Sequence, residues 1–168
     1  MKKTLRLIND YLVRSFICLL TISLFIFPGK SYAELAETEI NGSLIQASTE
    51  FLRDLDYETW QLVAYRSPNN PDNLVLRVIG YPGNLRVDHP LPLNVESGRK
   101  MWKLDDITLM NDELAKDNRQ AAAEFDLEIL INDISQNRPL RLSLPGVFSE
   151  LPVPPFLVKE WRTLSDSI

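Results

Sequence analysis

The chain holds one cysteine, Cys18, and one histidine, His89, in 168 residues. Without a second thiol there is no intrachain disulfide and no cysteine-based zinc site. One histidine is also a poor basis for a metal centre, since even catalytic zinc usually takes three protein ligands. His89 sits in Asp88-His89-Pro90, a setting that reads as a turn or surface position rather than a general base. With six glycines, the chain has no Gly-rich phosphate loop, no Gly-x-Gly-x-x-Gly turn and no Gly-x-Ser-x-Gly elbow. No stretch alternates acidic residues about a central glycine, as a calcium loop requires. The pairs Asp105-Asp106 and Asp112-Glu113 are adjacent in sequence, and adjacent side chains on a helix do not face one another, so both are expected to cap or solvate a helix. The sequence therefore assigns no catalytic residue, no cofactor and no metal ligand.

Much of the basic charge is concentrated at the start of the chain. Lys2, Lys3, Arg6 and Arg14 lead into an apolar run over 15–27, and Ser31-Tyr32-Ala33 is a small-x-small pattern that signal peptidase accepts. This predicts a signal peptide over 1–33 and a working chain that begins near Glu34. The apolar run would span roughly 20 Å as a helix, short of the roughly 30 Å hydrocarbon core, so an uncleaved anchor is the weaker alternative. Cleavage would remove Cys18, five of the 18 Lys and Arg, and one of the 23 Asp and Glu. The remaining 13 basic and 22 acidic residues give a net charge of −9. Such acidity argues against nucleic acid and anionic headgroups as partners. Membrane contact is expected only through a partner or an uncleaved signal.

Beyond the leader the pattern predicts a mobile lead-in over 34–50, one globular β-rich domain over 51–164 and a short tail over 165–168. Alternation marks strands at 59–66 and 73–79, joined across the turn-forming 67–72 into a hairpin. Shorter strands are expected at 84–87, 99–104 and 139–145. Spacings of three and four predict helices over 105–117 and 126–136. The proline-rich 151–156 reads as a stiff connector and 156–161 as a final strand. The expected fold class is mainly β, a single antiparallel sandwich or partly open barrel with one or two short helices.

Aromatics and prolines remain as recognition material. Trp and Tyr anchor interfaces, and proline-stiffened segments lose little entropy on docking. Tyr81, Pro82, Pro152, Pro154, Pro155, Phe156 and Trp161 are therefore the candidate interaction surface, with a protein as the expected partner. The alternative is an apolar ligand pocket lined by side chains such as Trp60, Leu76 and Trp102.

Several separated blocks resemble a family of small exported cyanobacterial proteins catalogued as a domain of unknown function. They are Trp60-Gln61-Leu62-Val63, the run 76–83 ending in Gly80-Tyr81-Pro82-Gly83, His89-Pro90-Leu91-Pro92-Leu93, Phe125-Asp126-Leu127, the run 139–145 and, most specifically, the run 151–161. The resemblance covers most of the chain after the leader. It implies export to the periplasm or thylakoid lumen and carries no catalytic residues with it.

Overall fold

The computed structural model describes residues 35–40, 42–68, 70–82 and 86–166. The expected signal peptide, and residues 84 and 85 of the strand expected at 84–87, lie outside the described residues; Arg86 and Val87 are not in a strand.

Alternating side chains build two antiparallel sheets. The first joins β1 (Ala36–Ile40), β2 (Ser43–Arg53), β3 (Thr59–Arg66), β4 (Leu74–Ile79) and β7 (Ala122–Asp126) in the order β1-β2-β3-β4-β7. The second joins β5 (Leu93–Ser97), β6 (Lys100–Leu104), β8 (Leu140–Leu144) and β9 (Phe148–Val153) in the order β6-β5-β8-β9. The expected hairpin is present as β3 and β4, paired from Gln61↔Ile79 to Arg66↔Leu74. The fold is mainly β and sandwich-like, and neither sheet closes into a barrel.

One large core lies between the layers. Trp60, Leu62, Ala64, Leu74, Leu76, Val78, Ala123 and Phe125 face inward from the first sheet, and Leu140, Leu142, Leu144, Phe148, Leu151 and Val153 meet them from the second. The Trp60 and Phe148 rings touch edge-on, with centroids 4.9 Å apart. Fully burying each such side chain contributes roughly 1.5–3 kcal/mol.

Three short helices pack around the sheets: α1 (Asp112–Ala115), preceded by a 3₁₀ turn at Thr108–Met110, α2 (Glu128–Asp133) and α3 (Pro155–Asp166). The helix expected over 105–117 is thus reduced to two single turns, and that over 126–136 to α2. Asn111 caps α1 by accepting from the Glu113 and Leu114 N–H groups at 3.0 and 3.4 Å.

Several expectations require correction. The final strand at 156–161 is instead the start of α3, because Leu157, Val158, Trp161 and Leu164 fall at i, i+1, i+4 and i+7 and are all buried. Pro155 occupies the first helical position, where its missing N–H costs nothing. The expected lead-in over 34–50 is not loose where it is described, since β1 and most of β2 fall within it, β1 pairing with β2 and β2 in turn with β3 in continuous register. Nor is 151–156 a free connector. Its first half lies in β9, where Pro152 stands opposite Arg141 on a strand at the end of the sheet order, a position that tolerates proline.

Polar contacts tie α3 to the first sheet. The Ser48 hydroxyl donates to Glu160 Oε2 at 2.6 Å. Burial pushes the Glu160 carboxyl up, Ser48 opposes this, and the charge of Glu50 adds to it. From β3, Arg66 donates to the carbonyls of Leu164 and Ser165 at 3.0 and 2.6 Å, which caps the helix C-terminus with a cation. No helix among the described residues is long and apolar enough to cross a membrane.

Candidate functional site

The outward face of the first sheet carries the polar chemistry. Strand alternation turns Val63 and Tyr65 of β3, Val75 and Arg77 of β4 and Glu124 of β7 to that side, and register sets Arg77 directly opposite Glu124. Arg77 donates Nε to Glu124 Oε1 at 2.7 Å, and its Nη2 lies 2.6 Å from the same oxygen. The Tyr65 hydroxyl also donates to Oε1, while accepting from Arg77 Nη2 at 3.1 Å. Asn111, folded over from the α1 cap, donates Nδ2 to both carboxylate oxygens at 3.2 Å. Tyr65, Asn111 and Glu124 line a concavity of about 330 Å³ together with Val75, Met110 and Glu113. Burial, followed by the charge of Glu124, pushes the Tyr65 phenol well above its ordinary range. Tyr65 is therefore a fixed donor at neutral pH and not a base.

A second cluster adjoins the first. His89 Nδ1 lies 2.8 Å from Asp106 Oδ2, which also accepts the Leu91 N–H at 2.8 Å. Asp106 Oδ1 accepts from the Thr108 N–H at 2.9 Å and the Thr108 hydroxyl at 2.5 Å. That hydroxyl oxygen in turn accepts the Glu124 N–H at 2.8 Å and so joins the clusters. His89 is consequently not the surface residue its sequence setting suggested, as its side chain is 7% exposed beside an Asp106 side chain only 2% exposed. The N-cap of the 3₁₀ turn is Ile107, without a side-chain cap, and Asp106 instead meets the turn through Thr108; its burial and long-range partners had no local sequence signal.

The Asp106 interactions have a pH signature. Burial pushes its carboxyl up, but the hydrogen bonds from Thr108, His89 and the Leu91 N–H outweigh that and hold it below the ordinary range. A carboxyl depressed in the folded state stabilises the fold above its unfolded pKa of about 3.9, and the benefit is lost as pH falls through the folded value. Urea midpoints measured from about pH 5 down to about pH 2 should therefore fall more steeply in the natural chain than in Asp106→Asn. Parallel curves would show that Asp106 carries no such linkage.

The expected interaction residues do not form one surface. Tyr81 and Pro82 line a concavity of about 420 Å³ with Phe51, Tyr57, Gln61 and Ile79, and none of the other five expected residues lines it. Pro152 lies in β9, Pro154 precedes α3, Pro155 starts it, and Phe156 is half-exposed at the helix start. Trp161 is removed from any surface, being fully buried in the core.

Phe51 and Tyr57 are functional candidates that sequence reading missed. Phe51, Gln61 and Ile79 are neighbours across β2, β3 and β4 on the outward face. Tyr57 comes from the β2–β3 turn, which the buried Asp54 organises. Asp54 Oδ1 accepts from the Asp56 and Glu58 N–H groups at 3.0 and 2.9 Å, and Oδ2 from Trp60 Nε1 at 3.0 Å. The turn holds Tyr57 at φ 65°, a left-handed conformation that costs a non-glycine residue roughly 1 kcal/mol or more. The result is three aromatics exposed by 62% (Phe51), 81% (Tyr57) and 66% (Tyr81), whereas Trp60, Phe125, Phe148 and Trp161 are buried. The one sequence signal was the alternation of Ile45, Ala47, Thr49 and Phe51 along β2.

The apolar pocket expected around Trp60, Leu76 and Trp102 is not formed by these residues. Trp60 and Leu76 are fully buried in the packed core, and Trp102 donates its indole N–H to Asp133 at 2.9 Å.

These features define a two-sheet antiparallel β protein with mutually paired buried polar groups and an exposed aromatic end. The chain belongs to the family described as "Protein of unknown function (DUF3122)", whose model matches residues 33–164. The match takes in β1 and β2 together with the rest of the domain. No curated protein and no solved structure matches the chain.

Proposed function

We infer that this is an exported, non-enzymatic interaction protein, an accessory of an envelope or thylakoid-membrane complex in a cyanobacterium. It docks on a protein partner through Phe51, Tyr57, Tyr81 and Pro82. The observation that carries the reading is the convergence of three exposed aromatics on one concavity, one of them held out by a turn built on a buried carboxylate. Aromatics that would gain by burial, yet are presented on a rigid support, have the character of interface anchors. Export rests on the leader pattern, and the compartment on the resemblance to exported cyanobacterial proteins. The non-enzymatic reading is supported by the pairing of the polar groups with one another. Glu124 is neutralised by Arg77, Tyr65 stays protonated, and no hydroxyl or thiol is hydrogen-bonded to His89 among the described residues.

The test is capture of a partner from solubilised native membranes by the natural chain and by a Tyr57→Ser, Tyr81→Ser double variant. Both positions are exposed, so the variant should keep its unfolding midpoint within about 0.5 kcal/mol of stability while losing capture roughly a hundredfold. Equal capture by both proteins, or no enriched partner for the natural chain, would overturn the docking surface.

A further inference from the structure

A third concavity, of about 290 Å³, lies on the second sheet, where the β5–β6 hairpin meets the segment that follows α2. Its lining is basic in a chain that is acidic overall, with Arg99, Lys100 and Arg138 against the single carboxylate of Asp133. That carboxylate is already occupied. Lys100 Nζ lies 3.1 and 3.0 Å from its two oxygens, and Trp102 Nε1 donates to one of them at 2.9 Å. The Lys100–Asp133 pair is locally neutral, and the Lys100 hydrogen bond, aided by Trp102, holds the Asp133 carboxyl low.

Two positive charges are left over. The Arg99 side chain has no hydrogen bond or ion pair among the described residues. Arg138 donates Nε to Gln136 Oε1 at 2.9 Å, and its two terminal nitrogens have no partner among the described residues. The walls are joined to each other. Gly98 makes the hairpin turn at φ 63°, a conformation suited to glycine, and brings Arg99 and Lys100 to the rim. From the same tip Ser97 Oγ donates to the Pro139 carbonyl at 3.1 Å, so the hairpin is fixed to the loop that carries Arg138. Trp102 and Ile134, both nearly buried, add apolar lining.

We propose that this concavity binds a phosphate- or sulfate-type oxyanion carried on a small polar group. Guanidinium forks match tetrahedral oxyanions in charge and donor geometry, and two unpaired forks balance one dianion. The volume is at the lower end for small-molecule sites, which favours a ligand the size of a sugar phosphate over a polymer. The acidity of the whole chain does not oppose this, because screening confines charge effects to roughly 10 Å, while the two guanidiniums line the site itself.

Calorimetry with the purified chain tests the site using inorganic phosphate, glucose 6-phosphate and unphosphorylated glucose. Saturable binding is expected for the two phosphate-bearing probes and not for glucose. Arg99→Gln and Arg138→Gln should each weaken it about tenfold or more, whereas Arg53→Gln, on the other sheet, should leave it unchanged. Co-sedimentation with phosphatidylcholine vesicles, with and without phosphatidic acid, separates the two sources of this chemistry. Sedimentation that needs phosphatidic acid and both arginines assigns a lipid headgroup, and binding of the free probes alone assigns a soluble ligand. Absence of saturable binding to every probe, or an equal loss in Arg53→Gln, would overturn the proposal.

Discussion

Glu124→Ala is expected to destabilise the fold by about 3–5 kcal/mol, the range seen when one partner of a buried ion pair is removed. The reason is the number of groups left stranded. Arg77, with a side chain only 15% exposed, loses its counter-charge, and the Tyr65 hydroxyl and Asn111 amide lose their acceptor. Because Asn111 also caps α1, the loss should spread along the 105–120 segment and raise its amide exchange before the core strands are affected. Tyr65→Phe removes the two hydrogen bonds of its hydroxyl, to Glu124 and from Arg77, and keeps the ion pair, so its cost should be nearer about 1–2 kcal/mol. The combination Glu124→Leu with Arg77→Met should recover part of the loss, since it leaves no charge unpaired while the Tyr65 hydroxyl and Asn111 amide stay without their acceptor. Urea denaturation of the four proteins, with comparable m-values, reads these costs. A loss below about 1 kcal/mol in Glu124→Ala would mean that water or relaxation replaces the network.

The same network shows where sequence reading reaches its limit. Strands β3 and β4 were legible because each has a dry inner face and a local turn, so period and punctuation agreed. Strand β7 was not, since Ala122-Ala123-Glu124-Phe125-Asp126 is short and mixed, and its identity as a strand comes from pairing with β4, more than forty residues earlier. The buried Glu124 had no local signal for the same reason: what neutralises it is Arg77, on another strand. Strand β2 was hidden by its polar inward positions. Ser48 and Glu50 lie on the core side of the register, where Ser48 meets Glu160 of α3 rather than an apolar wall. Of the aromatic end, Tyr81 and Pro82 were visible as candidate interaction residues, but Phe51 and Tyr57 join them only once β2 pairs with β3. Long-range register, which no local pattern encodes, decided each of these cases.

Trp161→Ala is expected to cost about 3–5 kcal/mol, as large-to-small changes at fully buried aromatics do. Trp161 is completely inaccessible and lies on the face of α3 that also buries Leu157, Val158 and Leu164 against the core. Its removal opens a cavity where the helix meets β2 and β3. It also weakens the seat of a helix whose last carbonyls are held by Arg66. Trp161→Phe separates packing from polarity, because the indole N–H is buried without a hydrogen-bond partner among the described residues. Deleting that orphaned donor offsets part of the lost volume, so the phenylalanine variant should cost less than about 1.5 kcal/mol. Lys159 provides the geometric control. In a strand over 156–161, Lys159 and Trp161 would point to one face, and both positions would be sensitive. In α3 they do not share a face, and Lys159 is exposed, so Lys159→Ala should fall within about 0.5 kcal/mol of the natural chain. A large loss at Lys159, or a negligible one in Trp161→Ala, would reject the helical placement of this segment and the buried role of its tryptophan.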